Sequence, residues 1–268
     1  MKLTVLGTGH ATVKNIYNTC FVMENQQEYL LVDAGGGNRI LKQLELANIS
    51  LNDIHHMFVT HKHTDHILGV VWIVRMISTK ILNGQYKGTL TIYCHEELIE
   101  TIKTLCTLTL QKKLTDLFDK QILFVGLEDG DQHSLLNCSF TFFDILSTKA
   151  KQFGFVCEYE GEKIAFCGDE PFNETCLHYV KDCTWLLHEA FCLYRDKDIY
   201  KPYEKHHSTA KDAGHLANLL HTKNLILWHS EEDTQDNKKE LYTKEASEKF
   251  KGNIYVPSDL DIIKITRT

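Results

Sequence analysis

The most informative stretch of this sequence is Thr60-His61-Lys62-His63-Thr64-Asp65-His66-Ile67-Leu68-Gly69. It follows a short apolar run and precedes an apolar segment with helical spacing, which predicts a strand-to-helix turn. Imidazole nitrogens and carboxylate oxygens together suit zinc, manganese or iron. His61 and His63 would point to one side of an extended segment, whereas Asp65 and His66 would face a neighbouring position from the helix start. The spacing therefore favours two metal positions; the alternative is a solvated turn, since the chain has 15 histidines.

Other apolar runs also end in polar residues that can bind metals or transfer protons. Because the loops at strand ends converge while the sheet holds them rigid, we expect these residues to meet at one edge. The runs are Lys2–Leu6 before Gly7-Thr8-Gly9-His10, His56–Val59 before the metal turn, Lys163–Cys167 before Gly168-Asp169, Thr184–Leu187 before His188-Glu189, and Asn224–Trp228 before His229.

Strand and helix patterns together predict an α/β fold in which two mixed sheets are flanked by helices, an αββα four-layer sandwich. The helical patterns are Ile40–Ala47, Gly69–Lys80, Glu96–Leu105, Lys211–Leu220 and Lys238–Phe250. We expect adjacent antiparallel pairing along a central series of strands, with a hairpin turn at Gly161. These strands are Thr89–Cys94, Ile122–Val125, Ser139–Ile145, Phe153–Tyr159 and Lys163–Cys167.

Composition limits the class of protein. The chain has 268 residues, 43% of them hydrophobic, and no linker-like stretch, which predicts a single domain over residues 1–268. No apolar stretch is long enough to cross a membrane. Nine cysteines without a C-x-x-C pair predict reduced thiols and a cytoplasmic location. The net charge of −7 argues against a dedicated nucleic-acid binder, although it does not exclude a nucleic-acid substrate.

The pattern H-x-H-x-D-H after a strand resembles the signature of the metallo-β-lactamase fold superfamily. Over most of its length the chain resembles the ribonuclease Z-like branch of that superfamily. The residues that carry the resemblance are Leu6-Gly7-Thr8-Gly9-His10-Ala11, Asp33, Gly168-Asp169, His188-Glu189-Ala190, His207-Ser208-Thr209 and His229.

The resemblance implies a ligand set. His61 and His63 would hold a first metal, Asp65, His66 and His229 a second, and Asp169 would bridge both. The metals would be one or two Zn²⁺ ions, with Mn²⁺ or iron as alternatives, and would activate a hydroxide for hydrolysis. Asp33 would be a structural aspartate.

Two departures from the branch affect the prediction. The branch supplies one more histidine to the first metal, and its place falls near Thr148. The first site would therefore be weak or empty, unless His10 substitutes as a ligand; Lys149 or Lys151 could instead supply positive charge to an anionic substrate. In addition, only 15 positions separate Gly154 from Asp169, which leaves no room for the branch's long transfer-RNA-gripping insertion.

Asp65, Glu189 and His207 form the predicted catalytic set. Glu189 and His207 are candidates for proton transfer to the leaving group, with His206 a weaker alternate. The alternatives are a buried salt bridge for Glu189 and a position before a helix N-terminus for His207.

We predict a metal-dependent phosphodiesterase acting on a small or nucleotide-like phosphodiester. The alternatives are a ribonuclease Z-like endoribonuclease, a hydrolase of acyl or thioester bonds, and a non-catalytic, metal-stabilised binding protein. RNA remains a possible partner, no membrane partner is expected, and a homodimer is possible because members of the branch often dimerise.

Overall fold

The computed structural model describes residues 1–266, with residue 235 described in its backbone only. The last two residues of the predicted domain, 267 and 268, lie outside the described residues. The strands are β1 (Lys2–Gly7), β2 (Cys20–Asn25), β3 (Glu28–Val32), β4 (Ile54–Phe58), β5 (Leu90–His95), β6 (Ile122–Leu127), β7 (Gln132–Leu135), β8 (Cys138–Asp144), β9 (Phe153–Tyr159), β10 (Glu162–Phe166), β11 (Trp185–Glu189), β12 (Asn224–Trp228), β13 (Asn253–Tyr255) and β14 (Ile262–Lys264).

Within residues 1–266 these strands form two seven-stranded sheets, in the orders β14-β1-β2-β3-β4-β5-β6 and β13-β12-β11-β10-β9-β8-β7. Each sheet is mixed: β3 to β6 pair in parallel in the first, and β10 to β13 pair in parallel in the second. The predicted pair of mixed sheets is confirmed.

The helices are α1 (Arg39–Leu46), α2 (Thr64–Leu82), α3 (Glu96–Thr109), α4 (Lys112–Thr115), α5 (Leu177–Val180), α6 (Lys197–Tyr200), α7 (Ala210–Leu219) and α8 (Lys238–Ala246). Short 3-10 helices lie at Leu51–Asp53, Glu174–Cys176, Tyr194–Asp196, Tyr203–Lys205 and Gln235–Asn237. No helix among residues 1–266 is long and apolar enough to cross a membrane.

Among residues 1–266, three apolar clusters fill the spaces between the four layers. An aromatic cluster that includes Phe21, Phe58, Phe155 and Trp228 fills the space between the sheets. A second cluster packs α1, α2 and α3 on the outer face of the first sheet, and a third packs α7 and α8 on the outer face of the second. Each sheet is therefore buried on both faces, which explains the continuous apolar runs in its strands.

One prediction about strand pairing was wrong. The expected series of adjacent antiparallel strands begins only at β7: β7 to β10 pair antiparallel, with the β9–β10 turn at Gly161, whereas β5 and β6 pair in parallel in the other sheet. The physical reason is the length of the connection between β5 and β6. It contains α3 and α4, and a crossover of that length returns the chain in the same direction, so the two strands pair in parallel.

Candidate metal centre

The carboxyl ends of β4, β10, β11 and β12 meet at one edge of the sandwich, and this edge collects the predicted site residues. Two groups form there, in which one potential ligand atom per residue lies within 4.8 Å of the others. The first group is His61, His63 and Asp169, and the second is Asp65, His66 and His229. The structure thus brings together all six predicted metal ligands.

Asp169 lies between the two groups. Its Oδ2 atom is 3.6 Å from His61 Nε2 in the first group. The same oxygen is 3.4 Å from His66 Nε2 and 3.4 Å from His229 Nε2 in the second group. One carboxylate therefore faces both positions, as a bridging ligand must.

The second group is closed by Asp65, which lies in the first turn of α2. Its Oδ2 atom is 3.3 Å from His66 Nε2 and 3.5 Å from His229 Nε2. In the first group the two imidazoles are adjacent, with His61 Nε2 2.8 Å from His63 Nδ1.

The chemistry of these groups fits divalent cations. The Nε2 atoms of His66 and His229 are buried, and the carboxylate oxygens 3.3–3.5 Å away do not meet them in hydrogen-bond geometry. A buried unpaired nitrogen is costly, and a metal ion would satisfy it. Burial opposes ionisation of Asp169, but the surrounding imidazoles, His61 foremost, hold its pKa well below the usual range. Burial likewise lowers the pKa of His61 and so favours the neutral form that binds metals.

Asp33 orients the second group. Its carboxylate accepts hydrogen bonds from Thr60 N at 2.8 Å and Thr60 Oγ1 at 2.8 Å, and lies 2.7 Å from His66 Nδ1. A proton on Nδ1 leaves Nε2 of His66 free to face the metal position. The predicted structural role of Asp33 is consistent with these contacts.

Glu189 and His207 adjoin the second group, and with His229 they form a third cluster of potential ligand atoms. Glu189 Oε2 is 3.3 Å from His207 Nδ1, and Ser208 Oγ donates to Glu189 Oε1 at 2.6 Å. Burial lowers the pKa of His207, but Glu189 outweighs it and the net pKa is raised. A raised pKa favours the protonated imidazole, the form that can donate a proton.

Two neighbouring features fix the position of His207, the start of the next helix and an aromatic ring. The next helix, α7, begins with a capping box in which the side chains of Thr209 and Asp212 bond each other's backbone N–H groups. On the other side Phe191 stacks on the imidazole of His207, with ring centroids 4.5 Å apart and planes 3° from parallel. Sequence reasoning missed Phe191, although its place directly after the His188-Glu189-Ala190 motif was an available signal.

The expected extra histidine of the first group has no replacement among the described residues. At the expected position, the Oγ1 atom of Thr148 lies 3.3 Å from His206 Nδ1. His10 packs its ring against Phe191 at 4.6 Å and is not part of either group. Burial lowers the pKa of His10 to about 4.

The metal groups open into a cavity of about 220 Å³. Its wall includes predicted ligands from both groups, His207, the rings of His10 and Phe191, and the side chains of Lys149 and Lys205. Lys151, the other cation of the segment before β9, instead pairs with Glu97, its Nζ atom 3.3 Å from Glu97 Oε1. A larger groove of about 870 Å³, lined by Arg39, Lys238 and Ser258 among others, contains none of the metal-group residues.

Comparisons with known proteins identify the family of this chain and its relatives. A family model described as "Anti-Pycsar protein Apyc1" matches residues 1–249. Ribonuclease Z of Methanocaldococcus jannaschii is 28% identical, over 97% of this chain and 96% of the relative.

Solved structures show the same fold. The metallo-β-lactamase fold protein YhfI from Bacillus subtilis superposes with a TM-score of 0.78 at 17% identity, over 98% of each chain. The short form of human tRNase Z superposes with a TM-score of 0.74 at 23% identity, over 100% of each chain. The chain belongs to the family described as anti-Pycsar protein Apyc1, within the ribonuclease Z-like branch of the metallo-β-lactamase fold.

Proposed function

We propose that this protein is a metal-dependent phosphodiesterase that hydrolyses a small phosphodiester of about nucleotide size. The observation that carries the proposal is the convergence of two metal-ligand groups and the Glu189–His207 pair on one cavity of about 220 Å³. A cavity of this size is at the small end for ligand pockets, so it suits a small diester better than a folded RNA.

The two groups of predicted ligands would bind two metal cations. His61, His63 and Asp169 would hold one cation, and Asp65, His66, His229 and the shared Asp169 the other. Bound divalent cations, with zinc as the ion that suits this donor set, would lower the pKa of water and neutralise phosphate charge. Asp65 and Asp169 keep negative charge at this position, because their imidazole neighbours hold both pKa values well below the usual range despite burial.

His207 is the proposed general acid. An alkoxide leaving from phosphorus needs a proton, and the raised pKa of His207 keeps the imidazole protonated closer to neutral pH. Glu189 is completely buried and faces His207, so it holds the imidazole in place and stabilises its charge. Phe191 stacks on the imidazole of His207 and further restricts its orientation.

A ribonuclease Z-like endoribonuclease is the second candidate, and the match to ribonuclease Z over nearly the whole chain favours it. Against it stands the β9–β10 connection, a tight hairpin at Gly161 between Tyr159 and Glu162, where a long RNA-gripping insertion has no place. The net charge of −7 points the same way.

The cysteines support a reducing compartment. All nine are free and buried, so none contributes a disulfide. We therefore infer a cytoplasmic location for the enzyme.

The test compares substrate classes on the zinc- or manganese-loaded protein. Bis-p-nitrophenyl phosphate and cyclic mononucleotides are assayed beside a 3′-extended transfer RNA, a β-lactam and a thioester, with bound metal measured on the same samples. We expect turnover of the small diesters, and a fall of at least about 100-fold in Asp169→Asn, because the Asp169 carboxylate would contribute to holding both cations. The control is Asp53→Asn, an exposed carboxylate on a distant 3-10 helix. Cleavage of the transfer RNA alone would favour the second candidate, and metal binding without any turnover would favour a binding protein.

A further inference from the structure

The cavity next to the metal groups is lined by two lysine side chains, those of Lys149 and Lys205. The Lys149 ammonium donates to the backbone oxygen of Lys205 at 3.1 Å and lies 3.5 Å from Glu170 Oε1. Its side chain is only 28% exposed. Lys149 is therefore held at the cavity wall by two oxygens instead of extending into solvent.

Glu170 fixes the turn that carries Lys149. Its Oε1 atom accepts a hydrogen bond from Ser147 Oγ at 2.8 Å, and its Oε2 atom accepts one from Thr148 N at 3.4 Å. Glu170 is buried and directly follows the bridging Asp169 in the chain. Because Glu170 directly follows Asp169, the residue that positions the Lys149 ammonium is next in the chain to the carboxylate that faces both metal positions.

This turn is also where the first metal group lacks a ligand. The branch places a histidine near Thr148, but here the segment directs Lys149, and no imidazole of its own, into the cavity. An ammonium is not a metal ligand at neutral pH, but it is a strong partner for phosphate oxygen.

We propose that Lys149 binds a non-bridging oxygen of the substrate phosphate and thereby restricts the site to anionic phosphodiesters. This inference rests on the proposed phosphodiesterase function and names the group that selects its substrate class. Hydroxide attack adds negative charge to the phosphoryl oxygens, so the contact with Lys149 strengthens as the reaction proceeds. A thioester or lactam carbonyl is neutral before attack, so a fixed ammonium would attract it much less strongly than it attracts a phosphodiester anion.

The experiment uses the zinc-loaded full chain and three variants, Lys149→Ala, Lys149→Arg and Lys151→Ala. Lys151→Ala is the matched control, because it removes the same charge two residues away, from a side chain that pairs with Glu97 outside the cavity. KM and kcat are measured on bis-p-nitrophenyl phosphate, and the affinity for inorganic phosphate is measured by titration calorimetry. Thermal melts check that each variant is folded.

A lost charge-assisted hydrogen bond corresponds to about a 10- to 100-fold effect. We expect Lys149→Ala to raise KM and weaken phosphate binding by that factor, Lys149→Arg to recover most of both, and Lys151→Ala to match the parent. Unchanged KM and phosphate affinity in folded Lys149→Ala overturns the inference while leaving the proposed function intact. Lys149-dependent phosphate binding without any diester turnover supports the phosphate contact and refutes the proposed function.

Discussion

Replacing Asp33 by asparagine tests whether the second metal group depends on the carboxylate behind it. Asp33 Oδ2 lies 2.7 Å from His66 Nδ1, and both carboxylate oxygens accept from Thr60. Asp33 has a positive φ of 55°, a conformation that asparagine tolerates well, so Asp33→Asn changes the hydrogen bonding without straining the backbone. The amide replaces one accepting oxygen by a donor, and at least one of the bonds is lost.

The expected magnitude follows from two separate terms. Losing the partner that orients a metal-binding histidine typically weakens metal affinity by about 10- to 100-fold. Leaving one buried polar group unsatisfied costs about 1–3 kcal/mol of folding free energy. Asp33→Asn should therefore bind the tighter zinc ion about 10- to 100-fold more weakly, and the metal-free protein should unfold at a lower temperature.

Zinc affinity is measured by competition with a chromophoric chelator, and stability by thermal unfolding of the metal-free protein. Asp53→Asn serves as control because its carboxylate is exposed and distant from the metal groups. If Asp33→Asn loses stability but keeps the parent's zinc affinity, the bond to His66 does not govern metal binding and the reasoning is refuted.

Three further perturbations test other parts of the site. The parent should bind zinc in two unequal steps, and Thr148→His should tighten the weaker one by about tenfold or more; two equal tight sites in the parent would contradict the missing-ligand argument. In the pH profile of kcat/KM, activity should fall as pH rises through the raised pKa of His207, and Glu189→Gln should move this alkaline limb to lower pH, because burial then acts on the imidazole without its carboxylate partner; an unmoved limb would remove His207 from the acid role. Gly69→Ala places a Cβ 1.8 Å from a backbone oxygen of the loop after Asp33 and should destabilise the protein by about 1–3 kcal/mol in thermal or urea unfolding, whereas Gly37→Ala, with open space around it, should not.

The sequence allowed the metal groups to be predicted because their residues follow strands. The apolar runs before His61, Asp169 and His229 identify strand ends, and strand ends of a common edge converge. Most of the helices were predicted from a different signal, the apolar face with helical spacing that α1, α2, α3 and α7 pack against the sheets.

The contacts that tune the site could not be predicted in this way. The bond between Asp33 and His66 joins residues 33 positions apart and depends on a positive φ that no pattern reveals. The stacking of Phe191 on His207 requires the 3-10 helices after β11 to return the chain to the strand end. The parallel pairing of β5 with β6 was missed because periodicity identifies strands but not their neighbours.

The missing histidine and the presence of Lys149 are best understood as one change in the chain. A histidine near position 148 would add a ligand to the first cation and so strengthen metal binding, but it would leave one fewer coordination position open to substrate. A lysine on the same turn, fixed by Glu170, places its positive charge on the substrate side of the cavity instead. We expect such a site to bind its first metal less tightly and to contact a small substrate phosphate directly through Lys149. That combination suits a compact cavity, because the described residues between β9 and β10 form a tight hairpin and not an extended arm that could bind RNA.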